Sequence, residues 1–409
     1  MTQAPPAPAA APAAPGFVDT PALLRRLNLV AVVAVVAFGV LSAFLQLLAW
    51  QSDGRAGDDT DQLVRVQAIE SSMLRADALA TNGYLLAGLE PNTRKHEYAD
   101  AVADVLQKIA DAAEAQPADR AALAALNEQI EDYTSSVAQA AVYDRLGYPL
   151  GIAYQQTASK QLREVAKPIV EGLVTANQKR SQDAMHGQHP FWLLLVGVLA
   201  VGALFYVNQQ LARTFRRRFN TGVVIAAAIV AGTTLVTAAV ALAASRSNSH
   251  TESHAYRDAT RAATARTAAN DAKAIESLRL INRGAGSTWE PFWDAARDVV
   301  EKSTPAGDLR DWKTYVQRHD AIIKLDDSNQ WKAAVADATS SGAAGSSEPL
   351  DSFNATMDKL ATSAGQQASH DLRSGRAIAL VLSVLTALLG LVAAVSVTRG
   401  IGERQKEFL

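Results

Sequence analysis

The sequence predicts an all-α integral membrane protein in which two extracytoplasmic helical bundles are each carried between a pair of membrane spans. Three observations predict it. Four apolar stretches, Leu27–Trp50, Phe191–Val207, Val223–Ala244 and Ile378–Val397, have no charged residue in their middle. Each approaches or exceeds the roughly 20 residues that cross a bilayer. The two long segments between paired stretches place apolar residues on alternating three- and four-residue steps, the period of a helix face. Finally, 49% of the 409 residues are hydrophobic but only 6% are aromatic, so Ala, Val and Leu carry the apolar weight, and Ala and Leu are strong helix formers.

The elements follow in order. Residues 1–24 begin "MTQAPPAPAAAPAAPG", a Pro/Ala tract with no hydrophobic period, and are expected to be a disordered cytoplasmic tail. Residues 25–50 form the first span. Its apolar core is too long for a cleaved leader, and "FLQLLAWQSD" offers no small-residue cleavage site. Residues 51–190 are expected to be a four-helix bundle. Its seams are Leu63, Val66, Met73, Ala80, Tyr84 and Ala87; then Tyr98, Val102, Val105, Ile109 and Ala112; then Leu123, Leu126, Ile130, Tyr133, Val137 and Ala140; then Leu162, Val165, Ile169 and Leu173. Breaks fall at "GLEPNT", "AQPADR" and "LGYPLG", where Gly and Pro stop helices. Pro168, inside the fourth helix, is expected to kink it.

Residues 191–208 are the second span, 209–221 a basic cytoplasmic loop and 222–244 the third span. Residues 245–376 repeat the bundle plan: a long helix to about Arg283, a break at "GAGSTWEPFW", helices around Pro291–Glu301, Asp308–Leu325 and Ser328–Thr339, a loop at "SSGAAGSSEP", and a last helix on Leu350, Phe353, Met357, Leu360 and Ala364. That helix is expected to run straight into the fourth span, residues 377–397, followed by a cytoplasmic tail, 398–409. The whole reads as a tandem duplication of span, bundle, span. "DALATNGYLLAG" and "KAIESLRLINRG" are weak echoes at equivalent places.

Basic residues set the direction. Arg25, Arg26, Arg213, Arg216, Arg217, Arg218, Arg399, Arg404 and Lys406 fall on one face if both termini are cytoplasmic. Arg246, Arg373 and Arg376 oppose this but are fewer. Trp50 and Trp192 mark the outer interface. The expected location is therefore the inner (plasma) membrane, multi-pass.

Charge and motifs exclude several function classes. A formal net charge of −2 gives no field to attract nucleic acid. The absence of cysteine excludes disulfides and thiolate chemistry. No phosphate loop, nucleophile elbow or "HExxH" is present, so neither an enzyme nor a cofactor is expected. His250 and His254 in "HTESH" share a helix face at i and i+4 but lack a third metal ligand, and a solvated polar face is the plainer reading. His186 and His189 read the same way.

Four features remain as candidate binding groups. Glu70 and Asp77 lie near the apolar seam of the first bundle helix, either as a polar register device or as a ligand-contact pair. Trp289, Trp293, Trp312 and Trp331 gather in the second long segment, either as core anchors or as an exposed patch for a protein partner. "RTFRRRF", with Arg213, Arg216, Arg217 and Arg218, suits anionic lipid headgroups or an acidic cytoplasmic partner. Arg404 and Lys406 in "ERQKEF" join it in the second of these roles.

The paired bundles resemble the four-helix sensor domains of bacterial chemoreceptors and sensor kinases, with "NGYLLAG" and "YPLGIAYQQTASKQLRE" similar to stretches found there. The duplicated plan and the ending "TRGIGERQKEF" more closely resemble the GlnX-like membrane proteins of actinobacteria. That resemblance implies a non-enzymatic relay from a periplasmic GlnH-type solute-binding lipoprotein, which recognises aspartate and glutamate, to a separate cytoplasmic Ser/Thr kinase of the PknG type. The expected output domain is then another polypeptide. A directly liganded sensor whose output domain is absent from this chain is the main alternative. A transporter ranks lower, because the spans offer few polar residues beyond Asn28, Gln46, Thr233, Thr234 and Thr237. A structural role in the envelope remains open, as does a homodimer, since the duplication can supply a bundle pair within one chain.

Overall fold

The computed structural model describes residues 20–86, 92–215, 220–340 and 345–406. Among these every regular element is a helix. Helix α1 is Thr20–Leu85, α2 Asn92–Ala115, α3 Arg120–Arg145, α4 Leu150–Gln161 and α5 Lys167–Met185. Next come α6 Pro190–Phe215, α7 Thr221–Thr251, α8 Arg257–Ile281, α9 Glu290–Ser303 and α10 Arg310–Asp327. The chain closes with α11 Trp331–Thr339, α12 Ser347–Ser374 and α13 Arg376–Lys406. Four stretches of helix are long and apolar enough to cross a membrane, as the four apolar runs predict.

The residues gather into two compact units. One, the span unit, comprises the described residues of 20–49, 189–243 and 377–406; the other, the bundle unit, comprises those of 50–188 and 244–376. Both long segments, 50–188 (segment I) and 244–376 (segment II), thus share one unit.

Within the span unit, small residues bring the helices together, the usual means of packing where lipid offers no hydrophobic drive. A Cβ on Gly390 of α13 would stand 2.9 Å from the Cα of Gly39 on α1. Gly222 of α7 and Gly400 of α13 are as tightly opposed, and Gly197 of α6 packs on Thr234 of α7. Some of its polar groups bond between helices and others within their own helix. Gln46 Nε2 donates to Thr386 Oγ1 at 3.1 Å, and the Thr234 and Thr237 hydroxyls donate to carbonyls of their own helix.

Within the bundle unit, the predicted seam of α3 is buried at every position: Leu123, Leu126, Ile130, Tyr133, Val137 and Ala140. Leu63, Val66, Met73 and Ala80 of α1 are buried too, while Ala87 lies outside the described residues. The break after α3 turns at Gly147, whose φ of 72° is left-handed backbone that favours glycine. Segment II has its own core of Trp293, Trp312, Tyr315, Phe353 and Met357 against the Ala-rich α8. The two segments are stitched by Ala56, Leu63 and Met185 packing with Tyr256, Ala368 and Leu372, and by Leu85 packing with Leu280 and Ile281.

Two expectations are corrected. The fourth seam of segment I runs Leu162, Ala166, Val170, Leu173, all buried, while Val165 is 43% exposed. The cause is the five-residue wide turn Leu162–Ala166, a π-type turn. Pro168 has no N–H for the carbonyl of Glu164, and the Lys167 N–H instead donates to Leu162 O, five residues back. The turn holds one extra residue and delays the return to the core by one position. Second, the membrane helices are expected to be continuous with the first and last bundle helices on both sides, and between segment I and the second span they are not. Helix α1 is continuous, but α5 stops at Met185 and α6 starts at Pro190. Proline disfavours helix at the residue before it, and Gly187 packs directly on Ser52. At the other end α12 and α13 are parted only by Gly375, whose φ of −75° and ψ of −15° stay right-handed helical, so the expected run of this helix into the fourth span holds from Ser347 to Glu403.

Candidate functional site

The wide turn before Pro168 carries Arg163. Its Nη1 lies 3.0 Å from Asp77 Oδ2 on α1, and its Nη2 lies 2.8 Å from Asp271 Oδ1 on α8. One guanidinium thereby ties segment I to segment II. Asp77 is fully buried and also accepts from Ser159 Oγ at 2.6 Å and Tyr133 OH at 3.2 Å. Burial pushes its carboxyl upward, and Arg163 and these donors pull against that. Asp77 is therefore a satisfied internal partner rather than a group aimed at a ligand. π-type turns recur at functional sites, and here the turn delivers the side chain that joins the two halves.

Beside Arg163 a cavity of about 940 Å³ opens between the segments, within the size range of small-molecule sites. Gln67 and Glu70 of α1 line it, with Lys160, Arg163, Glu164, Lys167 and Glu171 following from segment I. Segment II contributes Asp271, Ile275, Leu278, Trp289, Phe292 and Val299. Burial lifts the Glu70 carboxyl to about 7, with Lys167 drawing it down and Glu171 and Asp271 pushing it up. Glu70 is thus the half of the predicted Glu70/Asp77 pair that faces open space.

The four tryptophans separate. Trp293 and Trp312 are 1% and 0% exposed and stack on one another with ring centroids 6.4 Å apart. They form core and present nothing to a partner, which corrects their candidacy as contact residues. Trp331 is half-buried, donates from Nε1 to Leu280 O at 2.8 Å, and lies under the Arg283 guanidinium at 3.3 Å. Trp289 is half-buried, lines the cavity and contacts Phe292 at 6.1 Å between ring centroids. On the basic side, Arg213 is exposed. Arg216, Arg217 and Arg218 lie outside the described residues, and Arg404 and Lys406 belong to the end of α13, their side chains likewise outside the description. His250 and His254 are exposed and stack at 4.1 Å.

A buried ion cluster in segment II escapes sequence reading. Lys273 Nζ is 2.6 Å from Glu276 Oε1 and donates to Ala338 O and Ser346 Oγ, each at 2.7 Å. Glu276 Oε2 meets His319 Nδ1 at 2.9 Å, and His319 Nε2 reaches Glu290 Oε1 at 3.4 Å. The His319 ring stacks on Trp293 at 3.7 Å. Burial works to raise the Glu276 carboxyl, but Lys273 and His319 outweigh it and hold the group at about 2. For His319, burial works downward, and hydrogen bonds to Glu276 and Glu290 prevail, raising it above 6.5. The only sequence trace is Lys273 and Glu276 at i,i+3 on an alanine-rich helix.

The sign of the His319 effect is fixed by linkage. A raised folded value contributes stability that is fully present below the ordinary histidine range and is lost as pH rises through the folded value. The melting temperature of the chain is expected to fall as pH rises past 6.5 toward alkaline values, and His319→Gln is expected to flatten that slope. Scanning calorimetry on both forms checks it; equal slopes would sink the assignment.

Residues 52–186 match the family model of the actinobacterial sensor domain. The match begins within α1 and ends just past α5, so it covers segment I and supports a sensing or signalling role for it. No curated protein and no solved structure gives a match.

Proposed function

We propose that the chain is a non-enzymatic transmembrane signal transducer, with both long segments outside the plasma membrane and both termini in the cytoplasm. The observation that carries this is the sensor-domain match over residues 52–186, which begins on α1, the helix that also contributes the first of four membrane-length apolar stretches. A state change in segment I is then delivered along one unbroken helix, and shifts of about 1–2 Å suffice for such switches. The finer reading follows the resemblance to GlnX-like proteins: aspartate or glutamate availability is relayed from a GlnH-type lipoprotein outside to a PknG-type kinase inside, with the basic loop around Arg213 meeting lipid headgroups or the kinase. A second reading, direct binding of a solute by the chain itself, is favoured by the cavity between segments I and II.

The absence of cysteine gives a clean background for the test. Ser383 Oγ donates to Ala43 O at 2.9 Å, so Ala43→Cys with Ser383→Cys reports the α1–α13 contact. Cross-linking yield in vesicles is expected to change when loaded binding protein or ligand is added. Identical yields in all states would remove the helix-shift mechanism. Co-purification of a lipoprotein whose yield depends on aspartate or glutamate would separate the relay from direct sensing.

A further inference from the structure

The cavity between segments I and II has an uneven charge inventory. Three cations line it, and each already has a carboxylate: Arg163 with Asp271 at 2.8 Å, Lys167 with Glu171 at 3.1 Å and Lys160 with Glu164 at 3.9 Å. Glu70 lines the same space with neither an ion pair nor a hydrogen bond among the described residues. One turn earlier on the same face of α1, Gln67 is 6% exposed and its buried Oε1 has no hydrogen-bond partner. That oxygen is closed to solvent as it stands, and leaving it unmade costs about 1–3 kcal/mol, so turning the amide toward the cavity to meet an incoming donor is a gain. Segment II supplies the opposite wall as apolar and aromatic surface: Ile275, Leu278, Trp289 and Phe292. Aromatic faces attract cations. An anion entering here would meet Glu70 and would have to break an existing ion pair to find a positive charge.

We propose that this cavity binds a small organic cation, its ammonium taken by Glu70 and Gln67 and its apolar body laid against Trp289 and Phe292. The proposal rests on reading the chain as a sensor and names the ligand class of that site. Because the occupant would touch α1 on one side and α8–α9 on the other, it closes the two segments around itself. The groups facing Glu70 are Lys167, Glu171 and Asp271, with Arg163 alongside. Against that background its carboxyl titrates at about 7, and a bound ammonium stabilises the ionised form. Binding therefore releases a proton when the pH lies below this value and none well above it, and apparent affinity rises about tenfold between pH 6 and pH 8.

The test is calorimetric titration of the full detergent-solubilised chain with 2-phenylethylamine, using 2-phenylethanol and 3-phenylpropanoate as neutral and anionic controls. The amine is expected to bind, the controls at least tenfold more weakly, with about one proton released at pH 6 read from the buffer dependence of the heat. Glu70→Gln is expected to lose at least tenfold in affinity and the proton release together. Phe292→Ala, at a position 61% exposed and so safe for folding, is expected to weaken binding several-fold at every pH. Glu301→Gln, on the exposed side of α9, serves as the surface control. Absence of amine binding by a chain that keeps its melting transition would overturn the proposal. So would amine affinity unaffected by Glu70→Gln, or preference for the carboxylate probe. The readout needs no signalling partner. Amine binding with an Ala43/Ser383 cross-link that is identical in every state, loaded binding protein included, would sink the transducer reading and leave the site; a cross-link that responds to loaded binding protein without any amine binding would do the reverse.

Discussion

Replacing Arg163 by methionine is expected to destabilise the bundle unit by about 3–5 kcal/mol, because it leaves Asp77 charged, buried and without its cation. Asp77 is fully buried on α1, and its remaining partners, Ser159 and Tyr133, are neutral donors. The chain can relieve the loss only by protonating the carboxylate, so the defect should be smaller at low pH. The measurement is a double-mutant cycle: Arg163→Met, Asp77→Asn and both, each followed by chemical denaturation. The double variant is expected to recover much of the single loss, since removing both charges of a buried pair is often close to neutral. Additive losses would mean that Arg163 acts through packing alone. The same single variant also cuts the link to Asp271, so limited proteolysis should become faster where segment I meets segment II.

The second large effect is expected at Lys273. Lys273→Met removes the lysine paired with Glu276 and two further donated hydrogen bonds, to Ala338 O and Ser346 Oγ. Glu276 then keeps His319 as its charged neighbour. The expected cost is again about 3–5 kcal/mol, carried by segment II. Its signature differs from the Arg163 variant. With Lys273 gone, the Glu276–His319 pair bears the whole charge balance, so stability should decline more steeply as pH rises and His319 gives up its proton. Adding Glu276→Gln should restore a good part of the loss and flatten the pH slope. A Lys273→Met chain as stable as the parent would show that the cluster is dispensable.

How much of this was legible in the sequence depends on whether the information is local. The α3 seam was readable because Leu123 to Ala140 keeps one helical phase with no interruption. The fourth seam of segment I misses by one residue at Val165 and Ile169, with Leu162 and Leu173 in place, because Pro168 signals a disturbance without saying which kind, and a kink and a wide turn leave the same residues in different phases. The break at Gly187–Pro190 carries its own local mark, a Gly and a Pro within four residues. Glu70 and Asp77 stood out as acids near an apolar seam, yet only the fold separates the one that faces a cavity from the one that faces Arg163. The four tryptophans looked alike in the sequence. Trp293 and Trp312 turned inward because their helices bring them onto Tyr315 and Phe353. Arg163 itself gave no signal, since its partners come from residues 77 and 271, far away along the chain.

The wide turn before Pro168 sets phase as well as shape. Upstream of it the chain addresses the core through Ala158 and Leu162, downstream through Ala166, Val170 and Leu173. A straight helix advances about 100° per residue. Restoring regular hydrogen bonding here would therefore swing one of these stretches away from the core by about that angle and carry Arg163 off its two carboxylates. Proline, core and guanidinium thus behave as the two scales of a vernier, legible only when all three marks coincide.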